Sequence, residues 1–577
     1  MALMDRIVIV DGYVDEPTCL GVPPYISTYP RYISGAIWTH SVGTEVVYQT
    51  IDQVRSFKES AFDTWASADM ILLIAGMIVP GKYTGGNPIS VREAYRFFSQ
   101  GRIGNIPKLL VGPWGRHGCG LEGGKLALSS EVLSPPFDYI VSGDPEVVIG
   151  LLASSEWNLE AVDLGAVRES SETIEEYALR GTRVVKQHPG HRRGYLICEI
   201  ETYRGCPRYV SGGCSFCIEP LSGEPEERAP SGIIKEVEAL YNQGVTAFRI
   251  GRQADLFTYG SDEMGVEEFP TPNPAVIDNL FAKIRHVAPK LEVLHIDNVN
   301  PGTIARHVEE SKLVAKAIIR HHTPGDVAAL GVESVDPEVI RRNNLKATEE
   351  EAMAAVRTLN EVGGDRTEWG IPHLLPGINL VYGLDGETSQ TLEYNFAFLQ
   401  KIVDEGLTLR RINIRQVIGY QGTRISGKQR SRIRRHEFIS HKDEIRQKID
   451  KTMIERVAPK GTILRTAFFE RHEGKTSLLR QLGSYPLLCH MPNSEYQFEK
   501  ADVFVVDHGP RSLTVLPFPL DLSSATLAQL KRIPGFGAKR ARRIKTGGPY
   551  HSIKDLEDVL EMELPQWLEH VLKFDEK

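Results

Sequence analysis

"YRGCPRYVSGGCSFCIEP", residues Tyr203–Pro220, gathers three cysteines within twelve positions of a 577-residue chain that has only seven. Thiolates clustered on one short loop hold either zinc or an iron–sulfur cluster. Structural zinc takes four donors, commonly as two paired knuckles, and only Cys214-x-x-Cys217 forms such a pair here. Cys198 is the obvious candidate for a fourth thiolate. It falls within "GYLICEIET" (Gly194–Thr202), which reads as a strand. A rise of about 3.3 Å per residue carries it about 20 Å from Cys206, so it reads instead as a small buried apolar residue. Three thiolates without a fourth leave one metal position open, as a catalytic centre requires; a structural zinc is the alternative. The seven-residue gap carries Pro207, Gly212 and Gly213, suited to a turn that returns the first thiolate to the pair.

Composition narrows the setting. A net charge of −8 with 25% charged residues excludes a disordered tail and a globally basic nucleic-acid coat protein. The length suits about three or four domains with real cores. No run of about 18 apolar residues is present, so no membrane partner is expected. The opening "MALMDRIVIVDGYVDEP" turns acidic before a signal-peptide core could form. So few cysteines argue against an oxidised secreted scaffold, and the expected location is the reducing cytoplasm.

The pattern along the chain predicts an α/β protein in five parts. In residues 1–160, "RIVIVDG", "ADMILLIAGMIVP", "IPKLLVGPW" and "FDYIVSGDPE" read as buried parallel strands of an open sheet. Residues 161–190 are polar and read as an irregular linker and docking segment. Strand–helix alternation resumes over 191–455, which predicts βα repeats in a barrel-like sheet. Short strands and turns over 456–520 predict a small β-rich barrel. Residues 521–577 read as helical.

A strand, a cysteine-rich loop, Phe216 just before the last cysteine and then βα repeats resemble the radical S-adenosylmethionine (SAM) superfamily. The resemblance implies a partial (β/α)6 barrel in which Cys206, Cys214 and Cys217 ligate a 4Fe–4S cluster. It implies that the amino and carboxylate groups of SAM chelate the fourth iron. Reductive cleavage of SAM then yields methionine and a 5′-deoxyadenosyl radical, with the electron drawn from a flavodoxin- or ferredoxin-type reductant. The C-x7-C-x2-C spacing departs from the common C-x3-C-x2-C, which bears on loop shape more than on cluster type.

Further matches follow in order. "FRIGRQADLFTYG" (Phe248–Gly260) looks like the "GQN…YG" element of methylthiotransferases, and by resemblance Gly251, Gln253 and Asp255 join Phe216 among the cofactor contacts. "LHIDNVNP" (Leu294–Pro301) offers Asp297 and Asn298 towards the ribose. "LGVESVDPEVIRRNNLKATEEEAMAAVRTLNEVGG" (Leu330–Gly364) resembles "G-Q-S-…-L-…-M-x-R-x-T" and suggests Glu333 and Ser334 as polar SAM contacts. "GINLVYGLDGET" (Gly377–Thr388) resembles "D-x-I-x-G-F-P-G-E-T" with Asn379 in place of the usual Asp. "RINIRQVIGYQGT" (Arg411–Thr423) resembles the last barrel strand and contributes Arg415. No residue handling the substrate radical is assigned.

The flanks speak to substrate and second cofactor. The N-terminal unit resembles the cobalamin-binding-type domain that precedes many radical SAM cores, but the D-x-H-x-x-G string that supplies a cobalt ligand is missing. His40 and His117 sit in other contexts, and base-off cobalamin without that histidine is the weaker expectation. Methylthiotransferases carry three further N-terminal cysteines, whereas here only Cys19 and Cys119 are available, which disfavours sulfur insertion. "LAQLKRIPGFGAKRARRI" (Leu527–Ile544) resembles a helix-hairpin-helix whose Gly535 and Gly537 let backbone N–H groups approach a phosphate. Seven basic residues and no acid fall between 531 and 545, and Lys531, Arg532, Lys539, Arg540 and Arg543 are candidate phosphate contacts. "RISGKQRSRIRR" (Arg424–Arg435) is a second basic run, and the β-rich segment between resembles an RNA-binding TRAM-like barrel. The expected function is radical SAM modification of a nucleoside in RNA. The alternatives are a cobalamin-assisted methyltransferase acting on a peptide or small molecule, and a non-catalytic nucleic-acid-binding protein with a structural metal.

Overall fold

A computed structural model describes residues 4–14, 25–76, 87–120, 123–425, 433–492 and 499–575. Cys19 and most of the basic run after Arg424 lie outside the described residues. The N-terminal apolar runs form a five-stranded sheet, parallel throughout. Its order is Glu45–Thr50, Arg6–Asp11, Met70–Ile74, Lys108–Val111 and Tyr139–Ile140. Counted by their succession in the chain, the strands run 2-1-3-4-5, the doubly wound arrangement whose carboxyl edge faces ligands. "MILLI" is buried along its whole length because helices cover both faces.

The expected partial barrel is found. Six parallel strands, Ile197–Glu201, Ala247–Arg252, Val293–Ile296, Asp326–Glu333, Leu374–Tyr382 and Arg411–Gln416, lie side by side in chain order. The third continues past Asp297 as Asn298–Val299, which pairs with the fourth. At the other edge, Tyr25–Ile26 pairs in parallel with Ile197–Cys198, so the N-terminal part adds a strand to the barrel.

Residues 161–190 are irregular only over 161–171. "ETIEEYALRG" forms a helix over Glu172–Gly181 that buries Ile174, Tyr177, Ala178 and Gly181. Two glycines let it cross the helix Thr28–His40 backbone to backbone. A Cβ on Gly35 would stand 1.9 Å from Tyr177 O, and one on Gly181 would stand 1.8 Å from Arg31 O. The polar surface of the segment disguises a single buried stripe, which is why composition alone suggests a linker. These helices join the N-terminal sheet and the barrel in one hydrophobic core.

Five strands between Ile463 and Pro517 close into a small barrel, as the short strands and turns predict. Helices Leu527–Leu530, Ala538–Gly547, Ile553–Leu560 and Trp567–Val571 pack on it through Ile533, Phe536, Ile544 and Leu556 against Ile463, Phe504 and Leu516. Among the described residues no helix is long and apolar enough to cross a membrane.

Because both glycine contacts are with backbone, Gly181→Val forces the two helices apart. The expected cost is about 1–3 kcal/mol of overpacking, read as an earlier denaturant midpoint than in wild type.

Candidate active site

Cys206, Cys214 and Cys217 stand at the carboxyl mouth of the barrel, and none is in a disulfide. The insert between the first two folds as a short 3-10 turn, Pro207–Ser211, ended by Gly212 and Gly213 at φ 79° and 61°. Those positive angles favour glycine and reverse the chain within two residues. Asn344 clamps the reversal: its Nδ2 donates to Ser211 O at 3.1 Å and Gly213 O at 2.9 Å. Arg208, from inside the insert, donates to Cys214 Sγ at 3.1 Å. Phe216 packs on Cys214, Val339, Leu345 and Val381 and walls the loop. Cys198 is directed elsewhere, buried in the strand among core residues near Arg31 and Glu236.

Lys346 is the central side chain that the sequence motifs leave unmarked. It extends from the loop between helices Pro337–Asn343 and Glu349–Gly363 and is 22% exposed. Burial disfavours its charge, but Glu333 and all three cysteine sulfurs lie close enough to raise its pKa nonetheless. Its Nζ is 3.8 Å from Glu333 Oε1. Glu333 sits at φ 68°, a left-handed conformation rare outside glycine, and its pKa is raised by burial despite Lys346 and Arg415. Gly331 makes room, since a Cβ there would stand 2.2 Å from Lys346 Nζ. A signal for it exists in the sequence: Lys346-Ala347-Thr348 occupies the R-x-T place of the "M-x-R-x-T" pattern.

The other expected contacts divide. Gly331, Asn379 and Asn413 are in register across three neighbouring strands, and Arg415 Nε donates to the oriented Asn413 amide at 2.5 Å. With Glu333 and Gly251 they line the lumen. Gln253 is held by Thr202 Oγ1 at 3.2 Å, and Asn298 Nδ2 donates to Gln253 O at 3.3 Å. Asp255 accepts from Phe257 N and Thr303 Oγ1, and burial pushes its pKa up to about 6. Asp297 is engaged by Arg249 and by Tyr485 Oη, the latter at 2.5 Å. Ser334 is turned away from the lumen: its Oγ contacts Asn395 Oδ1 at 3.3 Å and accepts from Asp336 N, bracing the helix Ser389–Asp404.

Arg249 pairs Glu199 with Asp297 inside the barrel. Below it the loop Leu482–Tyr485 of the small barrel closes the base. Ser484 N donates to His295 Nδ1 at 3.0 Å, and Arg411 lies 3.5 Å over the Tyr485 ring. Above the mouth, a polar cleft separates the carboxyl edge of the N-terminal sheet (Gly112, Gly143, Asp144) from Glu201, Arg204, Arg252, Ile218 and Glu219 of the barrel and cysteine loop. Arg168 bridges the two parts, 2.7 Å from Glu146 and 2.6 Å from Glu201.

The family model described as the radical SAM superfamily matches residues 200–387, from the end of the first barrel strand through the cysteine loop and the fifth strand. Residues 200–387 are a radical SAM domain. An uncharacterised protein of Methanocaldococcus jannaschii is 46% identical over 519 residues, covering 89% of this chain and 93% of that protein. One of Archaeoglobus fulgidus is 41% identical over 554 residues, 96% of this chain and 97% of its own length. Among solved structures, the radical SAM methyltransferase TsrM of Kitasatospora setae, with cobalamin and a 4Fe–4S cluster bound, aligns at TM-score 0.43 and 15% identity. That alignment covers 73% of this chain and 74% of TsrM. The cobalamin-dependent radical SAM enzyme OxsB aligns at TM-score 0.47 and 14% identity, covering 77% of this chain and 56% of OxsB.

Radical SAM chemistry implies a 4Fe–4S cluster and SAM, and the donor set fits them. Three thiols face one space with two cations, Lys346 and Arg208, to offset the charge of their thiolates. Burial pushes the Cys206 thiol up to about 12 and raises that of Cys217, so metal must displace their protons. Among the described residues no three His, Cys, Asp or Glu side chains are grouped to hold a single ion.

Alanine at Cys206, Cys214 or Cys217 is expected to abolish cluster-bound iron and sulfide after anaerobic reconstitution. Cys198→Ala is expected to keep both, and a Cys206→Ala protein with full iron content would refute the ligand assignment.

Proposed function

We propose that this radical SAM enzyme binds its cluster through Cys206, Cys214 and Cys217, reductively cleaves SAM, and modifies a nucleoside in RNA. One observation carries the chemistry: three thiols, with no fourth among the described residues, gather about Lys346 at the mouth of a six-stranded parallel barrel. When bound, the cluster supplies the electron that splits SAM into methionine and a 5′-deoxyadenosyl radical, which takes a hydrogen atom from the substrate. Lys346 offers its ammonium to the carboxylate of SAM. Asn379, Asn413 and Arg415 offer polar atoms from the lumen wall, while Gly251 and Gly331 make room for the Arg249 guanidinium and the Lys346 ammonium. Lys346 and Glu333 answer each other's charge until a zwitterionic ligand enters between them. The reductant is of the flavodoxin or ferredoxin class.

The RNA reading is supported by the C-terminal part. Lys531, Arg532, Lys539 and Arg542 are exposed, and the first two border a groove with Lys460, Gly535 and Gly537. Gly535 takes φ 86° in the turn that precedes helix Ala538–Gly547, as a helix-hairpin-helix requires. Arg540 and Arg543 contribute less to that face, since Arg540 Nη1 donates to Gly535 O at 3.1 Å and Arg543 lies 3.5 Å from Glu561. A structured, single-chain polyanion suits one compact basic patch on a protein of net charge −8.

The 2-1-3-4-5 order of the N-terminal sheet, with its carboxyl edge over the cleft, favours a second reading. In it that sheet holds cobalamin and the enzyme transfers a methyl group. Spectra of reconstituted protein incubated with hydroxocobalamin distinguish the two, through cobalamin that co-elutes with the protein or passes free.

Anaerobic protein with dithionite is expected to release 5′-deoxyadenosine from SAM, and Lys346→Ala to weaken SAM binding at least tenfold while retaining the cluster. RNA from cells lacking the gene is expected to miss one modified nucleoside by mass spectrometry; an unchanged profile sinks the RNA reading. Replacing Lys531, Arg532, Lys539 and Arg542 by Gln is expected to lower RNA affinity and to reduce the salt slope by about 1 for each phosphate no longer neutralised.

A further inference from the structure

We infer that Arg208, the second residue of the long cysteine-loop insert, sets the reduction potential of the three-thiolate centre through its hydrogen bond to Cys214 Sγ. The guanidinium is fixed on every side. Arg208 is 2% exposed, and its Nη1 lies 3.1 Å from Cys214 Sγ and 2.9 Å from Asn344 O. Its Nε donates to Glu268 Oε1 at 2.8 Å, and its plane stands 5.6 Å from the Phe269 ring. A turn that served only to span seven residues would gain nothing by burying a cation against a ligand sulfur. An apolar side chain of similar volume would fill the same space without the cost of desolvating a charge.

The direction of the effect follows from charge. The centre takes up one electron from a low-potential donor, no proton moves, and the added negative charge spreads onto the ligand sulfurs. A fixed N–H···S bond from a cation stabilises that state more than the oxidised one and raises the potential. Arginine keeps its proton at any physiological pH, so the bias is permanent. Glu268 opposes it. Its carboxylate, 32% exposed, sits on the far side of the guanidinium and withdraws part of the positive charge from the sulfur. Arg208 touches a ligand and not the substrate, which makes it a positioning residue whose role is read in a potential.

This inference rests on the cluster reading above. The test is an EPR-monitored potentiometric titration of the reconstituted full-length protein, with iron and sulfide counted in each sample. Arg208→Gln with full iron is expected to show a more negative midpoint than wild type, Arg208→Lys a smaller shift of the same sign, and Glu268→Gln a shift to a more positive midpoint. Arg208→Gln and Glu268→Gln both titrating at the wild-type midpoint would overturn it. If Arg208→Gln fails to hold a cluster, Glu268→Gln decides alone, because Glu268 touches no cysteine: a positive shift supports the inference and none defeats it. Wild-type protein that takes up no cluster would instead bring down the reading beneath it.

Discussion

Three sulfurs crowded into the mouth of a barrel repel one another once they are thiolates, and the surrounding architecture answers that repulsion. Lys346 lies close to all three sulfurs, and Arg208 donates to Cys214. Both cations sit among unusual backbone. Gly331 leaves the space that the Lys346 ammonium fills, and Glu333, its partner, lies in the left-handed region. Arg208 lies in the 3-10 turn that Asn344 clamps, and Asn344 itself takes φ 48°. Such conformations cost on the order of 1–3 kcal/mol each and persist only where neighbours enforce them.

Buried arginines do comparable work at the junctions between parts. Arg31 and Arg228 share Glu236, and Arg168 ties Glu146 of the N-terminal part to Glu201 of the barrel. A buried ion pair adds little net stability over an apolar replacement, but removing one partner costs about 3–5 kcal/mol. Their value here is therefore register. Together they tie helix Thr28–His40, the N-terminal part and the first barrel strand to one another beside the cleft above the cysteines.

How much of this the sequence discloses depends on distance along the chain. The cysteine loop, the strand order of the barrel and the small β-barrel are local patterns repeated in order, and their apolar runs are legible one element at a time. Arg208 is not, and Lys346 shows only as the basic residue of an R-x-T-like string, because the importance of both lies in what faces them. Glu268 is sixty residues from Arg208, and Lys346 is more than a hundred from the sulfurs it neighbours. Ser334 shows the converse. A polar residue at a strand end reads as a ligand contact, but Asn395 on the following helix claims it. Residues 161–190 show the same limit, since a helix with one buried stripe and an acidic surface looks like a linker until its partner helix is known.

The two ends of the barrel are treated unequally, and that asymmetry shapes what can reach the centre. The base is filled by Leu482 packed on Ile197, Ala247 and Val293, with Tyr485 rising to Asp297. The interior above it is occupied by the Glu199–Arg249–Asp297 ladder. A ligand bound near Lys346 therefore has protein beneath it and enters by the mouth, where the cleft presents charged side chains of both signs. Most of those charges are already paired, so a newcomer must exchange partners with them. That favours a ligand bearing its own hydrogen-bonding edges over a purely apolar one.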